Sequence, residues 1–256
     1  MKRKINPELL LESLICLVLG ILLFFCLLSG RAALYVHPRL NGFLWVAAGA
    51  LTVIALFLFP HALQPKHNAK PSGALIFLLP LLACVLIPAG AVQSKAVSFG
   101  NPSAAGAVSS ARNRGTVIPG PSSSAGGAEL PKEDRNGIMT VTDEGFAKWY
   151  QDINGNMKKY EGKTLRFKGQ VFRMKEFAKN EMVPVRYAMV CCTADLQPCG
   201  ILSRGGDAAK YKENDWVWVT GKIRIEEYRG QTMPVCAVSK IEPAQKAKEN
   251  YIYFTY

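Results

Sequence analysis

Residues 216–227 read WVWVTGKIRIEE, and the character of the side chains changes with a period of two as far as Ile225. One face would hold Val217, Val219, Gly221, Ile223 and Ile225, and the other Trp216, Trp218, Thr220, Lys222 and Arg224. Successive side chains of a β-strand point to opposite faces, so this pattern predicts a strand with one side in a core.

Four further stretches have strand patterns: 165–172, 183–192, 199–202 and 233–241. We expect Gly169 to mark a bulge or a coil point in the first of them, and residues 205–214 have room for a small helix. Ahead of the strands, apolar residues recur every three or four positions from Phe146 to Met157, which predicts an amphipathic helix. This order favours a small all-β domain, an OB-like five-stranded Greek-key barrel preceded by an amphipathic helix. A five-stranded meander or a sandwich is the alternative.

The N-terminal third of the chain contains three apolar runs, at about 9–29, 42–59 and 73–92. The third reads GALIFLLPLLACVLIPAGAV, which is uncharged and long enough to cross a bilayer core of about 30 Å. The sequence therefore predicts a membrane α-helical anchor with three transmembrane helices. A cleaved signal peptide is the alternative for the first run, and a kinked helix lying in the interface is the alternative for the third.

Gly, Ser, Ala and Pro dominate the segment that follows, which has no apolar periodicity. Such a composition cannot bury enough surface to offset chain entropy, and it predicts a disordered tether. The predicted organisation is an anchor at 1–92, a tether at 93–137 and a soluble domain at 138–256.

The net charge of +12 is divided between the two halves: residues 1–129 contribute +7 and residues 130–256 contribute +5. If each apolar run crosses the membrane, the basic residues at 2–4, 66 and 70 lie on one side of it. They slightly outnumber the basic residues that flank the runs on the other side. This bias favours an N-terminus inside the cell. Three crossings then place the C-terminal domain outside the cytoplasm, as would two crossings after a cleaved signal peptide.

All three histidines, His37, His61 and His67, precede the predicted soluble domain. That domain therefore cannot contain a Ser-His-Asp or Cys-His catalytic set or a histidine-containing zinc site. No phosphate-cradling glycine loop is present either. We therefore expect the protein not to be an enzyme.

Several local strings are similar to those of one bacterial membrane family. They are YVHPR at 35–39, LLP at 78–80, YEGK at 160–163, FKGQV at 167–171, Arg186, and CCTAD at 191–195 with Pro198 and Gly200. The chain resembles the two-component membrane permease complex subunits, whose C-terminal domain has no assigned function. The resemblance implies a multi-pass protein of the bacterial plasma membrane that works beside a separate, multi-spanning permease subunit.

The most specific of these strings forms a candidate motif: Cys191, Cys192, Asp195, Pro198, Cys199 and Gly200. Neighbouring cysteines on a regular strand point to opposite faces, so they share a site only if the strand ends or bulges there. A turn at Pro198 and Gly200 would bring Asp195 and Cys199 toward Cys192, a ligand set that suits zinc or a similar ion. Completing such a site would need Cys236 or a partner's residue.

Two other interpretations of these cysteines remain open. An outside location permits disulfides such as Cys192–Cys199, Cys191–Cys236 or a vicinal Cys191–Cys192 bond. The third interpretation is structural: the cysteines are buried small residues and Asp195 caps a turn.

A second candidate surface combines aromatic and basic side chains: Trp216, Trp218, Lys222 and Arg224. OB barrels bind single-stranded nucleic acids on such surfaces. The modest basic excess of the domain and its expected location favour instead that the two tryptophans pack against the 146–157 helix, with no nucleic-acid partner. The aromatic tail at 251–256 could lie on the barrel or on a membrane surface.

The function that these observations favour is a non-catalytic accessory subunit of a bacterial membrane permease complex. Its extracytoplasmic domain would capture or gate a small solute or ion, and its partners would be the permease subunit and the lipid bilayer. The alternative is an extracytoplasmic metal-binding or thiol-redox module centred on Cys191, Cys192 and Cys199.

Overall fold

The computed structural model describes residues 6–63, 129–228 and 230–254. The third predicted span and most of the predicted tether lie outside these residues. The described residues form two compact units. The first consists of 6–63 together with Cys191–Ala194, and the second of the other described residues.

Two long helices dominate the first unit: α1 (Pro7–Leu28) and α2 (Asn41–Ala62). Asn6 caps α1 by accepting a hydrogen bond from the Glu8 amide, and Pro7 occupies the first turn, where no amide donor is needed. The helices coincide with the first two predicted apolar runs, and both are long and apolar enough to cross a membrane.

Small residues bring the two helices into close contact. Ala48, Ala55 and Ala62 recur every seven positions on α2 and are almost fully buried. The Ser13 hydroxyl donates a hydrogen bond to the Ala55 carbonyl across the pair, at 2.9 Å. A Cβ at Gly20 would lie 3.0 Å from the Thr52 hydroxyl oxygen. Small interfacial residues of this kind let apolar helices approach closely inside a lipid bilayer.

The outward faces of these helices are strongly apolar. Leu28 is 77% exposed, Phe43 73% and Val46 72%. An exposed apolar surface of this extent is unusual on a protein surrounded by water, and it fits contact with lipid.

A loop between the helices joins the short segment Cys191–Ala194 within the first unit. The His37 amide donates to the Cys191 carbonyl, and the Thr193 amide donates to the Tyr35 carbonyl, each at 2.9 Å. These backbone hydrogen bonds hold both sides of the Cys191–Cys192 dipeptide.

The second unit is mainly β-structure. Its elements are β1 (Ile138–Thr140), α3 (Phe146–Gly155), α4 (Met157–Tyr160), β2 (Thr164–Phe172), β3 (Glu181–Ala188), β4 (Gln197–Gly200), β5 (Leu202–Arg204), β6 (Trp216–Tyr228), β7 (Gln231–Pro243) and β8 (Tyr251–Ile252).

Five of these strands close into a barrel in the order β2–β6–β7–β5–β3, with β3 pairing again with β2. The β5–β7 pair is parallel, whereas the other four pairs are antiparallel. Additional strands extend the barrel: β1 lies parallel to β2, and both β4 and β8 pair with β3. The predicted set of five barrel strands is thus present, with three short additions.

Several predicted boundaries need correction. The predicted third strand is divided, because Ile201 separates β4 from β5. The predicted helix is also interrupted, at Asn156 between α3 and α4, and the 205–214 segment contains one 3-10 turn, Ala208–Lys210. The predicted bulge at Gly169 is wrong, because the register is regular there and shifts instead between Thr220 and Gly221 of β6.

Gly169 has a steric role instead. A Cβ at this position would lie 2.6 Å from the Pro184 carbonyl carbon, so only glycine lets β2 pass this close to β3.

The barrel core follows from the alternation of side chains along the strands. Every second residue of β2 is buried, and Phe167 meets the fully buried ring of Trp149 from α3 at a centroid distance of 5.3 Å. A second apolar cluster contains Val183 and Val185, so β3 is covered on both faces. Residues 251–254 of the aromatic tail lie on the barrel: β8 pairs with β3, and Phe254 packs against the main core.

Candidate functional site

The first half of the candidate motif, Cys191, Cys192 and Asp195, lies in a loop that begins where β3 ends, at Ala188. The Val190 amide donates to Oδ1 of Asp195 at 2.9 Å, and a 3-10 turn at Thr193–Asp195 completes the loop. The carboxylate therefore caps a turn, as the structural interpretation expected.

The end of the strand brings the two neighbouring cysteines together. Their Sγ atoms lie 3.7 Å apart, and with a carboxylate oxygen of Asp195 they form a group whose ligand atoms are all within 4.8 Å of one another. Cys191 is exposed, whereas Cys192 and Asp195 are half-buried. Two soft sulfur ligands and one carboxylate thus converge at an accessible position.

Cys199 is not part of this group. It lies in β4 opposite Arg186, is 5% exposed, and its Sγ contacts the Gln197 carbonyl at 3.8 Å. Burial raises the pKa of the Cys199 thiol to about 12, which disfavours the thiolate that a metal requires. The predicted ligand set of Cys192, Asp195 and Cys199 is therefore not the set that the fold assembles, because Cys191 takes the place of Cys199.

The remaining motif residues, Pro198 and Gly200, also belong to β4. They pair with Tyr187 and Val185 of β3 instead of forming the predicted turn. Burial likewise raises the pKa of the Cys236 thiol, in β7, to about 12. The six cysteines within the described residues are thiols, and none of them is in a disulfide.

The aromatic face of β6 is covered by cations of the protein itself. The Arg166 guanidinium lies 4.6 Å from the ring centroid of Trp218, the Lys168 ammonium 5.4 Å from the same ring, and the Arg186 guanidinium 5.5 Å from the ring of Trp216. These are cation–π distances. The two rings are half-buried and have cations against their faces. That they pack against the helix stays a prediction.

The predicted basic residues of this face, Lys222 and Arg224, are exposed further along β6. The cations over the rings come instead from β2 and β3. The β2–β6 register, which pairs Lys168 with Trp218, explains their position. The alternation along β2 shows from the sequence that Arg166 and Lys168 share one face of that strand. Only the β2–β6 register shows that this face meets the tryptophans.

Beside this face lies a buried ionic network that sequence reasoning missed. Arg186 is 1% exposed, and its Nη1 donates to Oδ1 of Asp143 at 3.1 Å while its Nη2 donates to the Glu249 carbonyl at 3.0 Å. Lys168 donates to the other oxygen of Asp143 at 2.8 Å. Burial lowers the pKa of the Arg186 guanidinium, and the neighbouring Asp143 carboxylate opposes that shift. The network joins the segment ahead of α3 to β2 and β3.

The comparisons with known proteins agree with the local strings. The model of the DUF1980 C-terminal domain matches residues 122–254. Over 252 residues the chain is 24% identical to the "Putative two-component membrane permease complex subunit" of Streptococcus mutans serotype c, covering 88% of this chain and 92% of that protein. It is also 25% identical over 117 residues to the UPF0703 protein YcgQ of Bacillus subtilis, covering 45% of this chain and 41% of that protein.

These matches confirm the resemblance that the local strings indicate. The family match covers more than half of the chain and includes the whole barrel and the cysteine loop. The chain therefore belongs to the family defined by the DUF1980 C-terminal domain.

Proposed function

We propose that this protein is a non-catalytic accessory subunit of a bacterial membrane permease complex. Its helices anchor it in the plasma membrane beside a multi-spanning permease, and its C-terminal barrel lies outside the cytoplasm and captures or gates a small solute or ion. The observation that carries the proposal is the similarity over nearly the full length of a relative that is named as a permease complex subunit.

The helical unit supports the membrane part of the proposal. Two helices suit a bilayer in length and composition, and large apolar side chains cover their outward faces. The third apolar run, 73–92, would make the number of crossings odd. With the N-terminus inside, as the basic residues favour, the barrel then lies on the outer side.

The barrel supports a role in binding. We interpret it as OB-like, because its order of strands and its parallel β5–β7 pair fit a five-stranded Greek-key barrel. OB barrels bind their ligands on a face and its adjoining loops. The cations over Trp216 and Trp218 occupy the ring faces on which nucleic-acid bases would stack, so a small ligand fits this barrel better.

A second candidate function is a thiol-redox or metal-binding module. The contact between the Cys191 and Cys192 thiols favours it, since neighbouring thiols can form a disulfide or bind a soft ion. It differs from the first candidate in one respect: its activity would not require a permease.

Purification of the tagged full chain from its native membranes in a mild detergent tests the proposed function. We expect one multi-spanning permease to be recovered in an amount similar to the chain itself. The control is an unrelated tagged membrane protein with the same number of spans, taken through the same procedure. Recovery of the chain alone, or only with proteins that the control also recovers, would contradict the proposal.

A further inference from the structure

The loop after β3 brings two thiols and a carboxylate together at an accessible position. We propose that Cys191, Cys192 and Asp195 form an exchangeable site for one thiophilic or borderline divalent cation of the zinc class. The proposal deepens the proposed function by naming the class of ion, and its relevance to transport rests on that function. The binding itself does not.

The spacing of the ligand atoms fits such an ion. Two thiolates bound tetrahedrally at about 2.3 Å from a zinc ion lie about 3.8 Å apart. The Sγ atoms of Cys191 and Cys192 are 3.7 Å apart, and the Asp195 oxygen completes a group within 4.8 Å. Neighbouring residues on a regular strand could not adopt this arrangement, since their side chains point to opposite faces.

The chemistry of the ligands selects the class of ion. Thiolates favour zinc and other soft or borderline metals, whereas magnesium and calcium prefer sites made only of oxygen ligands. The metal binds the thiolate form, so binding would displace the two thiol protons into solvent.

Among the described residues the group has three ligands, and that number indicates that the ion can exchange. Structural zinc sites are closed by four protein ligands, whereas sites with three protein ligands leave one position for water or another group. Cys191 is exposed, so solvent or a partner's side chain can reach that position. An open position suits a subunit that accepts an ion and passes it on.

Hydrogen bonds hold the ligands in place before an ion arrives. The Val190 amide orients the Asp195 carboxylate through Oδ1, a type of outer-shell contact that typically supports metal ligands. The backbone on either side of Cys192 is held by the hydrogen bonds of Cys191 and Thr193.

Zinc binding by the purified full chain tests the proposal. The reduced protein would be dialysed against buffered Zn²⁺ in the presence of excess Mg²⁺, and bound metal measured by elemental analysis. We expect one zinc ion per chain. With Co²⁺ as the probe, we expect a sulfur-to-cobalt charge-transfer band, which reports thiolate coordination directly in the unaltered protein.

Variants then identify the ligands. Cys191→Ser and Cys192→Ser should each weaken zinc binding at least about tenfold, because removal of a direct ligand should cost no less than loss of an outer-shell contact. Asp195→Asn should also weaken it, although asparagine can still accept the hydrogen bond from Val190. Cys199→Ala is the matched control: it removes the buried thiol and should leave both the zinc content and the cobalt spectrum unchanged.

Measurements on the wild-type protein alone can overturn the proposal. Zinc well below one ion per chain would do so, and so would a cobalt spectrum without a thiolate band. Full binding by the Cys191→Ser, Cys192→Ser double variant, or loss of binding by a folded Cys199→Ala variant, would overturn it too. If zinc binds but no permease is recovered with the chain, the site is present and the proposed function fails. If a permease is recovered but zinc does not bind, the proposed function stands and the proposed zinc site fails.

Discussion

Replacing Gly200 by alanine is expected to lower the free energy of unfolding of the barrel by about 3 kcal/mol. A Cβ at this position would lie 2.5 Å from the Pro184 carbonyl oxygen and 2.7 Å from Cγ1 of Val183, both on β3. One of these atoms belongs to the backbone, so the clash forces β4 away from β3. In the full chain, this change should lower the midpoint of thermal unfolding, followed by tryptophan fluorescence, by roughly 10 °C.

Gly155→Ala is the matched control for the same chemical change. Gly155 ends α3, and apart from its chain neighbours and the backbone of its own helix, no described atom lies within 4 Å of where its Cβ would stand. Alanine is the better helix former, so this variant should be as stable as the wild type or more stable by up to about 1 kcal/mol. An unaltered unfolding midpoint for Gly200→Ala would mean that β4 does not pack against β3 as described.

Replacing Asp143 by alanine is expected to destabilise the barrel by about 3 kcal/mol, because it leaves the buried Arg186 guanidinium without its carboxylate partner. The Glu249 carbonyl would remain as an acceptor for Nη2, but Nη1 would lose its acceptor, and Nε has no hydrogen-bond acceptor among the described residues. Lys168 would lose the same carboxylate. The measurement is denaturant or thermal unfolding of the purified full chain.

A double variant separates loss of the ion pair from general damage. Arg186→Met removes the charge and keeps a long apolar side chain. The Asp143→Ala, Arg186→Met double variant should therefore be more stable than Asp143→Ala alone. Asp207→Ala is the surface control: its ion pair with Lys210 is exposed and should not affect stability measurably. If the double variant is less stable than Asp143→Ala, the unpaired charge of Arg186 is not what destabilises Asp143→Ala, and this explanation is contradicted.

The regular parts of the barrel could be predicted from the sequence. The alternation over 216–227 corresponds to β6 almost residue for residue, and 233–241 lies within β7. β7 shows no such alternation, because Pro234, Val235 and Cys236 are all buried. In β6 one face lies in the core, which imposes a period of two on the sequence. The stripe from Phe146 was detectable for the same reason, since Phe146, Trp149 and Ile153 are buried in the core.

The candidate site could be predicted only in part. The sequence identified the Cys191–Gly200 stretch and the condition that the strand must end there, but it did not show where the strand ends. Apart from Arg186 the 183–192 run contains no charged residue, and nothing in its composition marks an end at Ala188, where β3 stops. Beyond that point the Val190 amide donates to Asp195 within the loop. The position of that end decides whether Cys191 or Cys199 joins Cys192.

The buried network illustrates a second limit. Asp143 and Arg186 are 43 positions apart, and nothing local distinguishes a buried arginine from an exposed one. Their pairing depends on the course of β2 and β3 around the barrel. Such long-range contacts depend on topology and register, and a single sequence contains no direct record of either.

The side of the membrane on which the barrel works is the central claim, and labelling of an engineered thiol tests it most directly. Lys240→Cys, at a side chain that is 65% exposed, would be made in a Cys191→Ser, Cys192→Ser background, with Lys4→Cys as the control for the inside. An impermeant maleimide should label position 240 in intact cells and position 4 only after lysis. A thiol at position 240 that is protected in intact cells and labelled after lysis would place the barrel in the cytoplasm and contradict the account.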